Sequence, residues 1–76
     1  MSALGYTIKV YQKNLAADEN SAGVRLGRYA IPAQVPAAQL AEIFKVSRLN
    51  IYKWFQGDYC PNRKRSIEID TWLANQ

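Results

Sequence analysis

The chain contains no histidine and only one cysteine, Cys60, among its 76 residues. Without histidine it lacks the side chain that most often serves as general base or metal ligand near neutral pH. A single cysteine cannot form an intramolecular disulfide. Cys/His metal sites are excluded too, and no cofactor is expected. Nor is there a glycine-rich phosphate loop, a cysteine–base pair or a paired-carboxylate signature. No catalytic arrangement can be assembled from what remains, so the protein is not expected to be an enzyme. Long apolar runs are missing as well. Lys9 and Lys13 interrupt the N-terminal stretch, so neither a signal peptide nor a membrane span is expected. With the lone cysteine, this points to a reducing, cytoplasmic setting and no membrane partner. Cys60 itself, beside Pro61, reads as a small turn residue with no redox role.

What is present is a packable chain with lopsided charge. Hydrophobic residues make up 49% of the sequence, enough for a packed globule. The length allows one small domain, whose marginal core could draw stability from a partner or a second copy. The net charge is +4 and the pI about 9.5. From Lys45 to Arg65 there are six basic residues against one acidic; elsewhere the count is four against five. Such a concentration of cations is the footprint expected of a nucleic-acid-binding surface. A merely solvated basic face is the competing reading.

Near the N-terminus, Tyr6-Thr7-Ile8-Lys9-Val10-Tyr11 alternates, placing Tyr6, Ile8 and Val10 on one face. Its β-branched and aromatic content predicts a strand. The rest of the chain offers no second strand, so a partner protein or another copy is expected to supply one. Residues 1–20 are thus read as an extended arm and linker, and residues 21–76 as a helical domain. Asn20 or Ser21 caps a first helix that turns Val24, Leu26 and Tyr29 inward. Gly23 and Gly27 weaken it by about 1 kcal/mol each relative to alanine. Pro32 is predicted to stop it near Tyr29 or Ala30. A second helix takes Pro36 in its first turn and buries Leu40, Ile43 and Phe44, with Ala41 small enough for a close crossing. A third begins after Ser47, its N-cap, and ends at Gly57. A fourth runs from about Asn62 to Leu73 and buries Ile69, Trp72 and Leu73.

The segment from Leu40 to Gly57 carries most of the functional information. Leu40, Phe44, Val46, Ile51 and Trp54 fall on one side, and Ser47, Arg48, Tyr52 and Lys53 on the other. Two short helices with this division, joined by a tight turn, hold one helix rigidly and present its outer face. That is the arrangement of a helix-turn-helix. The run from Pro36 contains Leu40-Ala41, Phe44, the Val46-Ser47 junction and Ile51-x-x-Trp54-x-x-Gly57, followed by Pro61. It resembles the Cro and lambda-repressor-like regulators of phages and prophages. The likeness spans roughly Ser21 to Leu73. It implies an all-α, four-helix, lambda-repressor-like helix-turn-helix domain behind the N-terminal arm or strand, working in the cytoplasm of a bacterial host cell. One departure is Lys45, which stands where the family usually has glycine. A left-handed backbone there costs a lysine about 1–2 kcal/mol.

By the same resemblance the expected partner is double-stranded DNA and the expected role is transcription regulation of the Cro/repressor-like kind, with repressor or activator left open. Ser47, Arg48, Leu49, Tyr52 and Lys53 take the base-reading positions; Gln56, Arg63, Lys64 and Arg65 fall toward the DNA backbone. The chemistry suits the roles. Arg48 can bond guanine O6 and N7 together, Lys53 can donate to guanine or phosphate, and Leu49 offers apolar contact to a thymine methyl. A second reading stands beside this one. Leu49 and Tyr52 next to Arg48 is also the composition of a protein-binding hot spot, and strand addition is a recurring mode of protein recognition. The chain would then be a phage-type regulator docking on host RNA polymerase or another transcription protein, to inhibit initiation or alter termination. Tyr6, Ile8, Lys9, Val10 and Tyr11 would form the partner strand. A homodimer through that strand, or through the Trp72-Leu73 helix end, is open in either case.

Overall fold

The computed structural model describes residues 8–76, and the regular secondary structure among these is entirely helical. Five helices follow in order: α1 (Ile8–Ala16), α2 (Ala22–Ala33), α3 (Ala37–Phe44), α4 (Arg48–Gln56) and α5 (Arg63–Ala74). α2 and α4 form the centre; α1 packs on both, α3 on α4, and α5 on α2. Leu26, Ala30, Leu40, Phe44, Ile51, Trp54, Phe55 and Ile69 make up the heart of the core. Phe44 meets Trp54 and Trp72 edge-on, at centroid distances of 6.2 and 6.0 Å, and Trp72 meets Tyr29 at 5.8 Å. Trp72 and Leu73 are half-buried against this core, so the end of α5 is engaged within the domain. No helix among the described residues is long and apolar enough to cross a membrane.

The strand expected over Tyr6–Tyr11 is instead helical from Ile8 onward; Tyr6 and Thr7 lie outside the described residues. Leu15 and Ala16, expected in a linker, complete α1. The alternating pattern misleads because the position that goes inward is polar. Asn14 is 1% exposed, and its Nδ2 donates to the carbonyl oxygens of Val24 (3.1 Å) and Phe55 (2.8 Å). Val10, one turn earlier, is half-buried on the same side. A strand would put Ile8 and Gln12 on that same side, and both are exposed, as the helical period requires. Arg28 closes the end of α1, its Nη2 donating to the Leu15 and Ala17 carbonyls at 3.0 and 3.2 Å. Carbonyls at a helix end need such outside donors.

Gly23 and Gly27 weaken α2 by propensity, and the packing shows why they are there. A Cβ on Gly23 would stand 2.6 Å from the Trp54 Cβ, and one on Gly27 would stand 2.5 Å from Asn14 Nδ2. Their spacing puts both on one face, where α2 meets α4 and α1 through bare backbone. α2 also continues past its expected stop, through Pro32 to Ala33. Gln34 ends it in the left-handed conformation (φ 61°), with its N–H directed to the Ala30 and Ile31 carbonyls. The Val35 N–H also bonds to the Ala30 carbonyl, at 2.9 Å. Ile31 and Val35 pack on the core, and this apolar closure holds the last turn helical despite the proline. Ser21 occupies the N-cap position of α2, but its side chain makes no capping bond. Pro36 is likewise the N-cap of α3 rather than a residue of its first turn. Ile43, expected in the buried stripe of α3, is 39% exposed. The buried arc of α3 runs through Ala37, Phe44 and Leu40, and Ile43 lies about 60° beyond its Leu40 edge, toward solvent.

Candidate nucleic-acid interface

α3 and α4 are joined by Lys45, Val46 and Ser47. Lys45 is left-handed (φ 59°), and its N–H bonds to the Ala41 carbonyl. Val46 donates to the same carbonyl at 3.0 Å, which draws the turn tight. Ser47 then caps α4, its Oγ accepting from the Asn50 N–H at 3.1 Å. Gly57 (φ 79°) ends α4, and the Asp58 N–H bonds back to the Lys53 carbonyl at 3.0 Å. Asn14 adds its bond to the Phe55 carbonyl from α1. Both ends of this nine-residue helix are therefore held.

Held this way, α4 divides into two sides. Ile51, Trp54 and Phe55 are buried, whereas Arg48 and Leu49 are exposed, and Tyr52, Lys53 and Gln56 are half-buried. Leu49 is 64% exposed, an apolar side chain among polar ones. The Ser47 hydroxyl is engaged as an acceptor and keeps its hydrogen to donate. The five residues assigned to base reading thus occupy one short helix and its cap, and none of them is buried.

The residues assigned to the DNA backbone separate. Arg65 Nη1 donates to the Phe44 carbonyl (2.7 Å) and to Glu68 Oε1 (3.0 Å), and its guanidinium lies 5.9 Å from the Trp54 ring centroid. Phe44 is the last residue of α3, so the bond supplies one of the donors that helix end lacks. It also brings the first turn of α5 beside the α3–α4 turn. Arg63 and Lys64 stand exposed on that same turn. Asn62 caps it, its Oδ1 accepting from the Arg65 N–H at 2.8 Å.

The cations sort by use. Arg25 meets both carboxylate oxygens of Asp70 at 3.0 Å, and Arg28 pairs with Glu19 at 2.9 Å. Lys53 reaches Asp58 at 3.9 Å and the Tyr59 ring centroid at 5.8 Å, a loose arrangement at the surface. Among the described residues, Lys45, Arg48, Arg63 and Lys64 are exposed and make no ion pair. Lys9 and Lys13 of α1 are the other two of that kind. Arg25 and Arg28 are neutralised, and four of the six exposed cations without an ion pair lie at the α3–α4 turn and the start of α5. A shallow groove of about 680 Å³, bordered by Pro36, Gln39, Glu42, Val46 and Arg48, runs along the same side.

No family model, curated protein or solved structure matches the chain. The functional reading therefore rests on the residues themselves. Reading the sequence overlooks Asn14, Arg25 and Arg28, which place α1, α2 and α5 behind this surface, because nothing in their spacing sets them apart from solvated residues. The four-residue interval between Gly23 and Gly27, read above only as a weakness of α2, is a signal that could have marked a close helix contact.

Proposed function

We propose that the chain is a small transcription regulator that binds double-stranded DNA, with α3 and α4 acting as a helix-turn-helix of the Cro and lambda-repressor-like kind. In this reading it is of phage or prophage origin and works in the bacterial cytoplasm. α4 lies in the major groove with Ser47, Arg48, Leu49, Tyr52 and Lys53 toward base edges. Arg63 and Lys64, with Gln56, contact phosphates that set its register. The observation that carries the reading is a coincidence. Four of the six exposed cations without ion-pair partners, Lys45, Arg48, Arg63 and Lys64, lie on or near a helix whose two ends are both fixed. Fixed geometry and uncompensated charge together are what groove recognition requires.

Selection from random duplexes followed by fluorescence anisotropy tests it. Arg48→Ala should weaken binding by about 1–3 kcal/mol and relax preference at one base pair. Equal affinity for selected and random duplexes would remove the sequence-specific reading. The exposure of Leu49 favours a second reading, in which the same face docks on RNA polymerase or another transcription protein. Strand addition does not support it, since Ile8–Tyr11 are helical. A pull-down from nuclease-treated host lysate separates the two: polymerase subunits retained without nucleic acid would favour the second.

A further inference from the structure

Of the six exposed cations without an ion pair, Lys9 and Lys13 lie outside the helix-turn-helix and the start of α5. Four residues apart on α1, they share one face of the helix. α1 carries no acidic residue. The next acids along the chain are engaged elsewhere: Asp18 Oδ1 accepts from the Asn20 N–H at 2.9 Å, and Glu19 pairs with Arg28. Among the described residues, nothing neutralises the two lysines.

Their position relative to α4 is fixed. Asn14, the residue after Lys13, donates to the Phe55 carbonyl at 2.8 Å. Ala17 lies against Gly57, where an added Cβ would stand 3.1 Å from the Ala17 Cβ. The end of α1 therefore sits at the C-terminal end of α4. Asp58, which follows that end in the chain, faces Lys53 at 3.9 Å. At the other end, Arg48 opens α4 and Lys45 precedes it. Arg63 and Lys64 come to the same end because Arg65 bonds the Phe44 carbonyl. Uncompensated cations thus stand at both ends of α4.

A nine-residue helix is about 13 Å long. The major groove is about 12 Å wide, and its two walls are the two sugar–phosphate strands. Cations at opposite ends of α4 are therefore spaced to meet opposite walls.

We propose that Lys9 and Lys13 form a second phosphate-binding site, by which α1 holds the strand across the groove from the one held by Arg63 and Lys64. The proposal rests on the DNA-binding reading, but α1 lies outside the segment that the helix-turn-helix resemblance covers. Its ligand is the backbone of duplex DNA, so the contact adds affinity and fixes register without adding base preference.

Anisotropy titrations of the full chain on a selected duplex, from about 50 to 200 mM salt, test it. Two neutralised phosphates contribute about 1.8 to the slope of log affinity against log salt. Lys9→Ala/Lys13→Ala should lose that share, so over this range its affinity should fall about tenfold less than that of the wild type. Alanine favours the helix, so α1 should stay intact and the far-UV spectrum unchanged. Lys9→Arg/Lys13→Arg, which keeps the charges, should keep the wild-type slope. Ethylation interference then assigns the strands: phosphates that cease to matter in Lys9→Ala/Lys13→Ala should lie opposite those lost in Arg63→Ala/Lys64→Ala. An unchanged slope in Lys9→Ala/Lys13→Ala, beside a flattened one in Arg63→Ala/Lys64→Ala, overturns the proposal and leaves DNA binding standing. A slope lost equally in the arginine variant, or interference lost on the same strand, also overturns it. A wild type that binds no duplex overturns this proposal and the DNA-binding reading together.

Discussion

Asn14 Nδ2 donates to the Phe55 carbonyl at 2.8 Å, tying α1 to the last turn of α4 across 41 residues of chain. Carbonyls in a final helical turn have no partner within their own helix. Asn14 supplies one from a distance, while Ser47 and Gly57 act locally at the two ends. α1 is thereby part of the support of α4 rather than an appendage, although it lies outside the helix-turn-helix segment.

Asn14→Leu should accordingly destabilise the fold by about 1–3 kcal/mol, since it leaves two buried carbonyls without this donor while keeping bulk at the site. Urea denaturation measures it. A loss below about 0.5 kcal/mol would show that the bonds contribute nothing beyond packing.

Gly23→Ala and Gly27→Ala set two effects against each other. Helix propensity alone would stabilise each variant by about 1 kcal/mol. The added methyl would stand 2.6 Å from Trp54 Cβ in the first case and 2.5 Å from Asn14 Nδ2 in the second. Overpacking of this kind costs about 1–3 kcal/mol, so both variants should melt at lower temperature. A rise in Tm for either would mean that the facing side chain, Trp54 or Asn14, moves aside without penalty.

Lys45→Gly should go the other way. Lysine is held at φ 59° there, and glycine adopts that conformation without the Cβ clash. A gain of about 0.5–1 kcal/mol is expected in chemical denaturation. An unchanged or lower stability would indicate that the Lys45 side chain makes interactions that offset its strain.

Arg65 should behave differently from Arg63 and Lys64. Arg65→Ala removes the bond to the Phe44 carbonyl and should cost about 1–2 kcal/mol of stability. Arg63→Ala/Lys64→Ala should leave stability unchanged and flatten the salt dependence of DNA affinity, by about one unit for each phosphate that is no longer neutralised. The opposite pattern, with stability falling at Arg63 and Lys64 and the salt slope falling at Arg65, would reverse the assignment of roles.

The local signals were legible in the sequence. Ser47 and Gly57 mark the ends of α4 because capping depends on one residue's own side chain or φ. The i, i+3, i+4 pattern of Ile51, Trp54 and Phe55 likewise names the buried face without reference to anything beyond the helix. Basic residues from Lys45 to Arg65 could be counted before their positions were known.

Everything that depends on a distant partner had to wait for the tertiary structure. Ile8–Tyr11 read as part of a strand by their alternation and lie in a helix whose Asn14 bonds the distant Val24 and Phe55 carbonyls. Gly23 and Gly27 read as weaknesses until Trp54 and Asn14 occupy the space their missing side chains leave. Arg65 is indistinguishable from Arg63 and Lys64 in sequence, and only the approach of α5 to the end of α3 gives it a carbonyl to bond. Propensity, periodicity and caps are properties of a few neighbouring residues, so the sequence alone determines them. Which polar group is buried, which glycine is crowded and which cation is neutralised depend on residues brought near only by the fold.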